Sequence, residues 1–149
     1  MPDGELPREP SRTDRELAEI GRGCMIRDAG EEAVRLLSEP NYAEVELTIS
    51  ELEDLALSMG HHRNFIRDEG KGAAEAGFDD RACGLFFAVD RTNALLQRIR
   101  GAHEQAQASE TGTGRFALSQ FDFVNLLGTE SYRRMADDHA TWLNRLGAT

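Results

Sequence analysis

Between Thr48 and Gln107 apolar residues recur at three- and four-residue steps almost without a break, and no other feature narrows the possible folds of this chain so far. Thr48-Ile49-Ser50-Glu51 has the spacing of a capping box, in which hydroxyl and carboxylate satisfy each other's backbone N–H groups. Leu52, Leu55, Ala56, Met59, His62 and Ile66 then form one helical stripe, which Gly70 and Gly72 are expected to end. Phe78-Asp79-Asp80 predicts the start of a partner helix, with an acidic N-cap and a hydrophobic staple. In that helix Ala82, Val89, Leu96 and His103 form one seven-residue series, and Leu85, Thr92, Ile99 and Ala106 another. Phe86, Phe87 and Leu95 widen the seam toward bundle packing. The expected fold is all-α, a mainly helical bundle built on an antiparallel hairpin, with Leu85, Val89, Leu96, Ile99 and His103 as a core or dimer seam.

The flanks add smaller elements. Residues 1–12 hold three of the four prolines and a single large apolar side chain, Leu6, and read as a disordered leader to one helical domain over 13–149. Thr13, with Glu16 three positions on, predicts a first helix. Gly21 and Gly23 each disfavour helix by about 1 kcal/mol, so a weak or broken join is expected before a restart at Asp28 and an end at Pro40. From Ala43 to Ile49 the period changes to two, the pattern of a half-buried strand. Its partner would be Arg115–Leu118 or a second copy of the chain, and without either the segment is an extended lead-in to the next helix. A helix over Ser119–Leu127 and another over Glu130–Leu146 complete the expected set.

Charge bears on function. The net charge is −10, and residues 1–60 carry fifteen acids against six arginines. Glu44, Glu46, Glu51, Glu53 and Asp54 fall in a stretch, 40–60, with no basic residue. Such a surface repels phosphate backbones, which disfavours direct nucleic-acid binding and makes a basic protein the natural partner. No apolar run approaches the length of a membrane span, and the first residues lack a signal-peptide pattern. Cys24 and Cys83, two thiols far apart in sequence, fit neither a disulfide framework nor a metal-ligand spacing and are expected to stay reduced in a cytoplasm.

Chemistry would have to begin at the histidines. His62, His103 and His139 fall on apolar faces of three predicted helices, but none has a glutamate three residues before it, the step that bundle metal sites use. With a turn at Gly70–Gly77, His62 faces about Phe86 and His103 lies roughly 25 Å farther along, too far to share a metal within one chain. Gly70-Lys71-Gly72 and Gly112-Thr113-Gly114 lack phosphate-loop spacing. No catalytic residue, metal or cofactor is expected. The sequence favours a non-enzymatic, cytoplasmic interaction protein, dimeric, binding a basic macromolecule as a phage-type inhibitor or antitoxin would. The alternative is a small metal- or ligand-binding bundle or enzyme using His62, His103 or His139.

Overall fold

A computed structural model describes residues 9–127. Five helices and two strands follow in the order α1 (Arg12–Ala29), α2 (Glu31–Ser38), β1 (Ala43–Thr48), α3 (Ile49–Glu75), α4 (Asp79–Ala108), β2 (Thr113–Leu118) and α5 (Gln120–Leu127). The mainly helical class with one short strand pair is as expected. The helix expected over Glu130–Leu146, including His139, lies outside the described residues.

Thr48 ends β1 and caps α3. Its amide donates to Glu51 Oε1 at 3.0 Å and its Oγ1 accepts from the Glu51 amide at 3.3 Å. α3 then runs through Gly70 and Gly72 and stops only at Glu75, followed by Gly77 at φ +84. Gly70 does not end the helix because it has a packing role: a Cβ there would lie 2.6 Å from the Phe86 ring. The turn is therefore centred on Gly77, which moves the register of the hairpin. Phe78 takes the N-cap position of α4 without a side-chain cap and is 64% exposed, so the expected acidic cap and staple do not form. Asp79 and Asp80 fall in the first turn, where they still complement the helix dipole.

α1 also departs from expectation. Its cap is Ser11, in a capping box with Asp14, so the helix begins at Arg12 and not after Thr13. It continues through Gly21 and Gly23 and breaks at Gly30, φ +93. Gly21 is buried where α1 crosses α4, and a Cβ there would overlap the backbone of Phe86 and Phe87. What its missing side chain forfeits in helix propensity, close packing of two helices recovers.

β1 and β2 pair antiparallel from Ala43 with Leu118 to Thr48 with Thr113, so the partner of the alternating segment is the chain's own second strand. Val45, Leu47, Phe116 and Leu118 face inward onto Leu52, Leu55, Met59, Leu95 and Ile99, forming the main core at the end of the hairpin away from its turn. Gly114 brings β2 against α4, where a Cβ would overlap the Ala102 carbonyl. α5 starts from a buried capping box in which Ser119 and Asp122 exchange bonds of 2.9 and 3.0 Å. The Arg98 guanidinium bonds both Asp122, at 2.6 Å, and the Ala117 carbonyl, joining α4 to β2 and α5. No helix among the described residues is long and apolar enough to cross a membrane.

Replacing Gly21 with alanine forces the two helices apart. A loss of about 1–3 kcal/mol, typical of overpacking, is expected as a lower urea midpoint. Gly23→Ala, where a Cβ meets nothing within 4 Å, should leave the midpoint unchanged or raise it.

Candidate functional site at the acidic end of the hairpin

The strand period of two sends Glu44 and Glu46 outward from the sheet while Val45 and Leu47 enter the core. The capping box sets Glu51 on the adjoining first turn of α3. These elements form a cleft of about 370 Å³ lined by Glu44, Glu46, Thr48, Glu51 and Thr113. Of the predicted acidic surface, the structure thus brings three glutamates together. Asp54 is exposed beyond the lining, and Glu53 turns inward to His103, with Oε2 2.9 Å from Nε2.

Sequence reasoning missed the cation in this acidic patch. Arg115 sits opposite Glu46 in the ladder, with Nε donating to Glu46 Oε2 at 2.8 Å and Nη1 to Glu44 Oε1 at 3.4 Å. The Glu46 hydrogen bond, and then the charges of both glutamates, raise the guanidinium's pKa above its ordinary value. Its backbone amide is held by Gln105 Oε1 at 2.8 Å. The signal was the strand register, available only once β1 and β2 are paired. All three side chains are exposed, so these pairs contribute little to stability and remain open to exchange for another partner.

The histidines occupy separate environments. His103 is 4% exposed and answers to Glu53, the bland arrangement of a buried histidine bonded to a neighbouring acid. His62 Nε2 lies 2.7 Å from Asn125 Oδ1, the Asn125 amide donates to Thr92 Oγ1 at 2.9 Å, and that hydroxyl donates to the Ala88 carbonyl at 2.7 Å. With the turn at Gly77, His62 thus lies near Thr92 and not Phe86. Neither histidine lines the cleft. Leu85 is partly buried, while Val89, Leu96, Ile99 and His103 are buried in the chain's own interior, so the predicted seam serves as core.

A second concavity, about 560 Å³, runs between α1 and α4 beside Arg12, Arg15, Glu16, Arg22 and Asp90, and its mixed charges favour no one sign of ligand. Outside that concavity, where α1 meets α3, the buried Asp14 accepts from Arg67 Nη1 at 3.0 Å and lies 3.7 Å from Arg63 Nε. Burial would raise the Asp14 pKa, but hydrogen bonds from Arg67 and Ser11 and the charge of Arg63 outweigh it and hold the carboxyl below its usual range. Burial is the main cause that lowers the Arg63 pKa, with Asp14 opposing it. Arg63 Nε and Nη1 have no hydrogen-bond partner among the described residues.

Cys24 and Cys83 overturn the reading of two separate reduced thiols. They form a disulfide between α1 and α4, with Cα atoms 6.0 Å apart. The crossing at Gly21, one turn from Cys24, brings together residues 59 apart in sequence, a proximity no spacing rule reveals. Comparison with protein-family models, curated proteins and solved structures found no match to this chain.

Asp14→Asn leaves the buried Arg63 without its counter-charge, while the half-buried Arg67 keeps Asp68, and should cost about 3–5 kcal/mol, read from urea unfolding. Because the Asp14 pKa is lower folded than unfolded, its contribution is complete above the unfolded value near 3.9 and fades as pH falls through the folded one. Acid titration of the Asp14→Asn variant should therefore show a shallower loss of stability below about pH 4 than the parent.

Proposed function

We propose that the chain is a non-enzymatic interaction protein that engages a basic macromolecular partner at its acidic cleft. The observation that carries this reading is the convergence of Glu44, Glu46 and Glu51 on one open concavity with Arg115 as the guanidinium at its rim. In its concrete form the partner is a protein whose basic nucleic-acid-binding groove the glutamates occupy, as an antitoxin or phage-type inhibitor would. A lysine or arginine of that groove displaces Arg115 from Glu44 and Glu46, exchanging one exposed ion pair for another at small net cost. Such complementarity acts mainly on association rate and on choice of partner. The histidine-based alternative has less support, because His62 and His103 are engaged inside the bundle and neither lines the cleft.

On this reading the protein is cytoplasmic, which requires the Cys24–Cys83 bond to be one of the transient, redox-responsive disulfides that a reducing compartment allows. Its homodimer contact, on this reading, is the outer face of α3, where Leu57 and Phe65 are 51% and 62% exposed and about two turns apart. Sedimentation at several concentrations should show a dimer that Phe65→Glu dissociates. A chain that stays monomeric at every concentration removes this contact from the proposal.

The cleft is tested by affinity capture from cell lysate at two salt concentrations. Glu44→Gln with Glu46→Gln should lose the basic proteins retained by the parent, whereas Arg115→Gln, which unmasks both carboxylates, should retain them more strongly. Equal capture by the parent and both variants would end the reading.

A further inference from the structure

We propose that Cys24, Asp28 and Cys83 form a redox-gated site for a single thiophilic divalent cation such as zinc, closed by the disulfide and opened by its reduction. Cys24 and Asp28 are four residues apart on α1 and share a face, while Cys83 arrives from α4. The two sulfurs and a carboxylate oxygen lie within 4.8 Å of one another, and Cys83 Sγ is 3.8 Å from Asp28 Oδ2. Tetrahedral zinc with bonds of about 2.3 Å to sulfur and about 2.1 Å to oxygen sets its ligand atoms roughly 3.5–4 Å apart. Rotation of the cysteine side chains is enough to reach that spacing once the S–S bond is open.

Two further features favour a site over a mere staple. The first is that the approach of α1 to α4 does not depend on the disulfide: Gly21 seats one helix on the other, and Arg22 lies 3.6 Å from Asp90 across the same crossing. The reduced thiols therefore stay facing each other. The second is that Arg27 donates to Asp28 Oδ1 at 3.3 Å, which leaves Oδ2 turned toward Cys83, the kind of outer contact that orients a ligating carboxylate. Two thiolates, one carboxylate, a dication and the Arg27 guanidinium make a neutral ensemble. Cys83 is buried, Cys24 half-buried and Asp28 exposed, so a cation can enter from the Asp28 side and keep a water as fourth ligand.

The chemistry balances with a dithiol as reductant. The Cys24–Cys83 bond takes up two electrons and two protons to give two thiols, and the reductant closes its own disulfide. The cation then displaces both thiol protons and binds two thiolates and the Asp28 carboxylate. Oxidation by a small disulfide reverses both steps and expels the metal.

The test uses the full chain, oxidised or reduced with a phosphine, dialysed against zinc or cobalt(II). The reduced chain should bind one equivalent and the oxidised chain none, and cobalt should show a thiolate charge-transfer band that Cys83→Ser abolishes. Asp28→Asn keeps the disulfide and so controls for folding; in its reduced form it should bind zinc at least tenfold more weakly. Absence of binding by the reduced chain overturns the proposal, as does binding that Cys83→Ser or Asp28→Asn leaves unchanged.

Discussion

The whole arrangement depends on how closely other elements can reach α4. Three glycines decide it: Gly21 of α1 against the Phe86–Phe87 backbone, Gly70 of α3 against the Phe86 ring, and Gly114 of β2 against the Ala102 carbonyl. Each removes a side chain where a methyl group would intrude. Because packed interiors tolerate little extra volume, these contacts act as fixed points about which the larger residues interdigitate. The disulfide follows from the first, and the seating of the sheet on the hairpin from the third.

Charge is organised around the same frame. Asp14 and Asp122 each serve as the acid of a capping box and as the partner of an arginine from another helix, Arg67 for one and Arg98 for the other. A carboxylate that caps its own helix and binds a neighbouring one couples local helix formation to tertiary placement. The exposed acids are arranged differently. Glu44 and Glu46 share one exposed guanidinium at the surface, where ion pairs exchange readily, so the place where a partner would compete is also where competition costs least.

Periodicity made the hairpin and the alternating strand legible, and the Thr48–Glu51 capping box located the boundary between them to the residue. The errors share a cause. Propensity, a local quantity, marks Gly21, Gly23, Gly70 and Gly72 as helix-weakening, whereas α1 and α3 run through all four. The misplaced turn then misaligned the hairpin, which concealed the pairing of Glu53 with His103. Arg115 and the cysteine pair were out of reach for the same reason: each meets its partner across a contact between elements distant in sequence, set by register and crossing geometry. The clustering of Glu44, Glu46 and Glu51 was visible because neighbours in sequence happen to lie on adjoining local elements.

The strand pairing joins residues from either side of the entire hairpin, from Ala43 with Leu118 to Thr48 with Thr113. In an unfolded chain, closing that loop carries an entropic penalty before any ladder bond forms. Antiparallel docking of α3 on α4 brings that loop's two ends to the same place, and the penalty is shared with the hairpin's own long-range contacts, such as Glu53 with His103. The sheet thus acts as a clasp across the open end of the hairpin. The cleft, whose walls are drawn from both strands, exists only where that clasp is closed, so whatever parts the ends of the hairpin also dismantles the site.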